Sequence, residues 1–449
     1  MISDKGFVDL VDNSRPARNR QEHYGIDLKE CFADARLDVM NFLNEIVMKF
    51  PEAISFAPGR PMEAHFQVAE SVNNVAEFVA ATAAKTGMTK EQSWNSLGQY
   101  SRTNGIINDL ISQQLERDEG IFVSQDAIMV TVGAQEAIAV VLTGLFDASQ
   151  DVLLAGNPTY IGITGLARIL GIHVAPVQSG EMGLDPAAVE RAIKDCSKWG
   201  RPRAIYDIPD FNNPLGTYMP LDRRRRLLDL CRHHGMLLIE DNPYGMFLYE
   251  GEKLPTLKAL DREHVVLYIG SFAKTLFPGL RLGYLVADQK LTNNQFLAQE
   301  LSKVKSLLTV NTPPLLQAIV AEILVRNQCS LKAIIAPKAA GYRRNRDVMI
   351  DSLATNFSDM QDLVCWNSPR GGFFLTVNLP FPFGVAELQR CAAEYGVIVG
   401  PMQFFALAPG SESRIRLSFS YVDENGIRTG IRQLACFVRE QCKVHEIRN

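Results

Sequence analysis

In "YIGSFAKTLFPGLRLGYL" (Tyr268–Leu285), a lysine and an arginine stand seven residues apart. Lys274 comes just after Val265–Ile269, a run of branched and aromatic residues that favours a pleated strand. Gly270 and Ser271 end that run. Arg281 follows a Pro-Gly turn. A lysine amine just beyond a buried strand can bond to an aldehyde, and an arginine reaching back beside it is a charge-assisted donor for a phosphate.

Other strand ends carry comparable groups. After "AIMVTV", Gly133-Ala134-Gln135 opens a helix, where backbone amides suit a phosphate. After "DVLLA" comes "GNPTY", with Tyr160. After "AIYDI" comes "PDFNNPLG", with Asn213. After "MLLIE" comes "DNPYG", with Asp241 and Tyr244. After "VVLYIG" comes "SFAK", with Ser271 and Lys274. Taken singly, these are a turn asparagine, a capping aspartate and a solvated lysine. Taken together, they meet the needs of pyridoxal phosphate: an amine for the aldehyde, a carboxylate for the ring nitrogen, donors for the ring oxygen, an aromatic stack and a phosphate cup.

These groups need a scaffold. From about 125 to 290, seven short apolar strands ("AIMVTV", "DVLLA", "IHVAPV", "AIYDI", "MLLIED", "VVLYIG", "LGYLVA") alternate with segments of helical spacing. That alternation predicts an α/β fold, a mostly parallel seven-stranded sheet covered by helices. Ligands of such sheets lie beyond the carboxyl ends of the strands. A helical stretch from about 291 to 355 follows. Then "GGFFLTVNL", "GVIVG" and "RIRLSFS" flank the helix "VAELQRCAAEYG", which predicts a smaller α+β domain. The expected division is 1–66 as an N-terminal segment joining the small domain, 67–330 as the large domain and 331–449 as the small one.

Composition narrows the function classes. The 449 residues are 47% hydrophobic and 21% charged, with net charge −4. No global field attracts nucleic acid or anionic membrane. The run Arg223–Arg226 reads as a solvated helix face. The eight cysteines show no C-x-x-C spacing, so no zinc or redox motif is signalled. The N-terminus lacks a signal-peptide core, and no apolar run is long enough to span a bilayer. A cytoplasmic protein is the expectation. The first 35 residues carry no helix-turn-helix pattern, which predicts an enzyme over a DNA-binding regulator.

The motifs resemble those of the fold-type I, class I/II aminotransferases, most nearly the kynurenine/2-aminoadipate aminotransferase group. "SFAKTLFPGLRLGY" is similar to their lysine signature, "NNPLG" to N-P-x-G, "DNPYG" to D-x-x-Y and "VGAQEAI" to the phosphate cup. "LGQYSRTNG" resembles their Q-Y loop, and "RIRLSFS" their substrate-arginine strand. The likeness spans about residues 50 to 435. It implies that Lys274 bonds the cofactor and shuttles protons, and that Asp241 pairs with the ring nitrogen. Asn213 and Tyr244 would serve the ring oxygen, and Tyr160 would stack on the ring. Ala134, Gln135, Ser271 and Arg281 would hold the phosphate. Arg416 would clamp the substrate carboxylate, with Gly59 and Asn213 lining that pocket. Tyr100 would reach the site of a second subunit, which implies a homodimer. Two positions depart from the pattern: Gly156-Asn157 replaces an acidic residue before Pro-x-Tyr, and Ile111 stands where Leu-Arg often ends the Tyr100 motif.

The expected activity is transfer of an amino group between an amino acid and a 2-oxo acid in two half-reactions. Same-fold lyases, cyclases and oxidases share the early chemistry and stay open at this stage, as does a non-catalytic cofactor-binding regulator.

Overall fold

A computed structural model describes residues 27–448 of the chain. The first 26 residues, which hold most of the segment without a helix-turn-helix pattern, lie outside the described residues.

A two-residue strand, β1 (Ile54–Ser55), precedes the main sheet. That sheet contains β2 (Ile128–Thr131), β3 (Asp151–Asn157), β4 (His173–Gly180), β5 (Gly183–Leu184), β6 (Arg201–Asp207), β7 (Leu237–Asp241), β8 (Val266–Ser271) and β9 (Gly283–Val286). The spatial order is β2-β9-β8-β7-β6-β3-β4-β5. Neighbours from β8 through β4 run parallel, while β9 is antiparallel to both β8 and β2. All seven expected strands are present. The eighth, β5, is a two-residue hairpin return from β4, too short to leave a pattern in the sequence. Strands β2, β3, β7, β8 and β9 are buried almost throughout, because helices cover both faces. This explains why they read as continuous apolar runs rather than alternating ones.

Beyond the helices Leu297–Leu308, Pro314–Arg326 and Lys332–Asn356 lies a four-stranded antiparallel sheet. Its strands are β10 (Cys365–Trp366), β11 (Phe374–Asn378), β13 (Gly400–Pro401) and β14 (Arg414–Ser418), in the order β10-β11-β14-β13. The short β12 (Val397–Ile398) pairs in parallel with β1. The N-terminal segment is therefore stitched to the C-terminal region. Phe56 N donates to Ile398 O (2.7 Å), and Ser418 N donates to Phe56 O (2.8 Å).

The arginine run departs from expectation. Arg225 and Arg226 are exposed, but Arg224 is fully buried. It pairs with Asp210 and donates to Met219 O (2.9 Å) and Pro255 O (3.0 Å). Three partners satisfy a buried cation that would otherwise be costly. The pair also fixes the loop from 208 to 219, which carries Asn213.

Candidate active site

The strand ends and the small sheet enclose a cavity of about 320 Å³. Gly59, Ala134, Gln135, Tyr160, Asn213, Asp241, Tyr244, Ser271, Lys274, Arg281 and Arg416 all line it. Tyr100 does not, and its residue surface is 78% exposed.

Asp241 closes β7. Its Oδ2 accepts from Tyr206 Oη at 2.7 Å, and its buried Oδ1 has no partner. Burial raises its pKa to about 6, opposed by the Tyr206 hydrogen bond. A buried carboxylate oxygen with an open valence is suited to a cationic N–H donor. Tyr206, inside the apolar run of β6, gave no signal of this role.

Lys274 lies on a one-turn helix, Phe272–Thr275, capped by Ser271 Oγ, which accepts from Ala273 N at 3.2 Å. Its Nζ donates to Gly59 O (2.7 Å). Burial, followed by the charges of Arg416, Arg281 and Arg60, lowers its pKa to about 8. A usable fraction of the amine is thus neutral and nucleophilic near neutral pH. Lys338 Nζ donates to Thr275 O (2.7 Å) and Leu276 O (3.2 Å), which ties down the end of this helix.

Gly133 opens the helix Gly133–Leu145 with φ of 73°, and a Cβ there would stand 2.8 Å from Arg281 Nη2. Only glycine suits both the left-handed backbone and the guanidinium packed against it. Arg281 itself has φ of 45°, directly after the Pro278–Leu280 turn. Gln135 Nε2 donates to Gly162 O (3.0 Å), and its Oε1 accepts from Tyr160 Oη (3.3 Å). Burial pushes the Tyr160 hydroxyl up to about 12 and Tyr244 upward as well, so both remain neutral donors.

Arg416 sits on β14 opposite Gly400 and Thr376. Its Nη1 donates to Asn213 Oδ1 (2.6 Å), and its Nη2 donates to Ala57 O. The buried Nε has no hydrogen-bond partner. The guanidinium carbon lies 4.3 Å from the Phe374 ring centre and 4.5 Å from that of Phe405. Burial lowers its pKa to about 10, which leaves it charged at neutral pH. Among the described residues no carboxylate pairs with it. A buried cation without a carboxylate partner carries a desolvation cost that an anion in the cavity would offset. At Gly59 a Cβ would fall 2.3 Å from Phe374 Cζ, so a side chain there would displace the ring from Arg416.

The sequence reading missed the remaining wall. Met40, Leu43 and Val47 come from the helix Val39–Lys49, and Ile161, Ile208, Phe374, Phe405 and Arg60 are among the other lining residues. The spacing of 40, 43 and 47 puts all three on one helix face, a pattern identical to that of an ordinary core-facing helix.

Residues 70–434 match the family of aminotransferase class I and II. The chain belongs to the class I and II aminotransferases. It is 41% identical to (S)-3,5-dihydroxyphenylglycine transaminase of Amycolatopsis orientalis, over 92% of this chain and 93% of that protein. It is 31% identical to 2-aminoadipate transaminase of Thermus thermophilus, over 86% and 89%. Among solved structures, kynurenine aminotransferase of Pyrococcus horikoshii, in complex with PMP, superposes with a TM-score of 0.79 at 26% identity, over 93% and 97%. This enzyme is a pyridoxal-phosphate-dependent aminotransferase that moves an amino group between an amino acid and a 2-oxo acid. The site fits that cofactor independently. It offers an unpartnered Asp241 oxygen, an amine whose pKa burial lowers to about 8, and a glycine cradle beneath an arginine. No described helix is long and apolar enough to cross a membrane.

Proposed function

We propose that this aminotransferase acts on an amino acid with an aromatic side chain, bound with its α-carboxylate on Arg416 and its ring against the Met40–Leu43–Val47 face. The observation that carries this reading is that the apolar residues Met40, Leu43 and Val47 line the same cavity as Arg416, a buried guanidinium whose Nε has no partner. A carboxylate can take the open Nε and an Nη in the paired geometry that arginine favours. Asn213 holds the guanidinium fixed. The dihydroxyphenylglycine activity of the 41% relative supports an aryl group close to Cα.

The proposed roles are those the resemblance implies, and the shared cavity supports them. Pyridoxal phosphate supplies an aldehyde and a ring that accepts electrons. Lys274 would hold the aldehyde until the substrate amine takes its place, and the freed Nζ would then act as general base at the substrate Cα and return the proton. Asp241 keeps the ring nitrogen protonated, and Tyr206 keeps Asp241 oriented. Asn213 and Tyr244 would serve the ring oxygen, and Tyr160 would stack on the ring. Ser271, Arg281 and the Ala134–Gln135 backbone take the phosphate. The Gln135 side chain is already engaged with Tyr160 and Gly162, so its part is to set the Tyr160 ring.

The proposal extends to a cytoplasmic homodimer in which exposed Tyr100 completes a second subunit's site. It also keeps the division at 66 and 330, supported by the β1–β12 pairing that ties the N-terminal segment to the C-terminal region. A panel of amino donors against one oxo acid tests the substrate reading. Arylglycines and other aromatic donors are expected to give the highest kcat/KM. A maximum at aspartate or lysine, with aromatic donors inert, overturns it.

A further inference from the structure

Strand β3 ends at Asn157, and its side chain reaches the loop 405–408. Asn157 Oδ1 accepts from Leu407 N (2.8 Å) and Ala408 N (3.3 Å), and its Nδ2 donates to Ala408 O (3.2 Å). Two residues on, Thr159 N donates to Phe405 O at 2.9 Å. These four bonds join residues 157–159, just before the ring-stacking Tyr160, to the loop 405–408. The loop follows the turn Met402–Phe405, which carries the Phe405 ring onto Arg416. The same turn places Phe404 edge-on against Phe42 of the apolar-wall helix, with ring centres 5.8 Å apart.

The amide is the side chain this junction requires. It must accept from two backbone N–H groups and donate to a backbone carbonyl at once. A carboxylate supplies the acceptor and fails as the donor, and its charge would face the Ala408 carbonyl oxygen.

We propose that Asn157 is a positioning residue: by fastening the loop 405–408 to the end of β3, it seats Phe405 on the Arg416 guanidinium and so sets the affinity for the substrate carboxylate. This rests on the reading of Arg416 as the carboxylate site. Phe405 and Phe374 both pack against the guanidinium and so restrict the orientation of its planar fork, on which paired recognition of a carboxylate depends. If the loop is released, one of the two ring contacts is lost while Lys274 and Asp241 keep their own tethers to Gly59, Lys338 and Tyr206.

The test uses the cofactor-loaded enzyme and steady-state kinetics with one aromatic donor. Asn157→Ala and Asn157→Asp are expected to raise the donor KM about five- to tenfold, the effect of one or two hydrogen bonds, with kcat within about twofold. The Asp variant keeps the shape of the side chain and guards against a folding loss in the Ala variant. Phe405→Leu is expected to raise KM similarly. Because both changes act along one route, Asn157→Ala with Phe405→Leu should cost no more than the worse single change rather than the product. Parental KM in both Asn157 variants, or multiplicative effects in the double variant, overturns the proposal. An Arg416→Lys arm separates the two claims. Raised KM there, with parental KM at Asn157, sinks the clamp alone. Unchanged KM there, with raised KM at Asn157, overturns the carboxylate reading of Arg416 and with it the route through Phe405.

Discussion

The two ends of the cavity are built differently. At the cofactor end, Asp241, Ser271 and Lys274 lie at or just beyond the ends of adjacent parallel strands, so the register of β7 and β8 fixes their spacing. Each also has a local tether: Tyr206 for Asp241, and Gly59 O and Lys338 for the Lys274 turn. At the proposed substrate end, Arg416 comes from a separate antiparallel sheet, and its neighbours are gathered from distant segments: Ala57, Asn213, Phe374 and Phe405. The first end is set by one sheet and the second by contacts between segments. Disturbing the first should therefore damage the chemical step, and disturbing the second should damage recognition.

The largest expected break is Lys274→Ala. Turnover should vanish while cofactor binding through the phosphate cup persists, as read by kinetics and by cofactor content after gel filtration. Residual turnover above about a hundredth of the parent would move the base to another group.

Asp241→Asn comes next. Loss of a buried charge opposite the ring nitrogen should lower kcat by about a hundredfold or more, with little change in donor KM. The cofactor-free chain should respond in the opposite sense. The folded pKa of Asp241 is raised from 3.8 to about 6, so its burial is unopposed below about pH 4 and costs stability as pH rises through 6. The full cost is roughly 3 kcal/mol at 1.36 kcal/mol per unit. Thermal melts of the cofactor-free protein should show Asp241→Asn more stable than the parent at pH 8 and level with it near pH 4. Equal melting temperatures at both pH values would contradict the burial argument.

Arg416→Lys tests the other end. It keeps a charge but loses the fork, so donor KM should rise at least about tenfold with kcat less affected. A kcat loss with unchanged KM would erase the contrast between the two ends. The smallest effect is expected at Lys338→Met, which fills the space but frees the Thr275 and Leu276 carbonyls. The kcat should fall less than about tenfold, in keeping with lost hydrogen bonds to a charged donor, while donor KM stays at the parental value.

The same contrast explains what the sequence made legible. Residues at strand ends are announced by the apolar run before them, so Asp241, Lys274, Tyr160 and Asn213 could be located from periodicity and turn chemistry. The resemblance added roles and placed Arg416. Tyr206 stayed hidden because a tyrosine in a buried strand looks like packing until its hydroxyl is seen on Asp241. Met40, Leu43 and Val47 read as an ordinary amphipathic helix, because a substrate wall and a core face share one pattern. The buried Arg224 was masked by three arginines beside it, since spacing alone does not say which member of a run turns inward. The bonds of Asn157 join residues some 250 positions apart, and no local pattern encodes them.

The central claim is that this site transfers an amino group in two separable halves. The most direct measurement mixes the cofactor-loaded enzyme with an amino donor alone and counts the 2-oxo acid released. The account predicts a burst of one equivalent per loaded site that then stops, and a further equivalent each time an acceptor oxo acid is added. Continuous product release without an acceptor, or products that show loss of a side-chain substituent, ring closure or oxygen consumption, would contradict it.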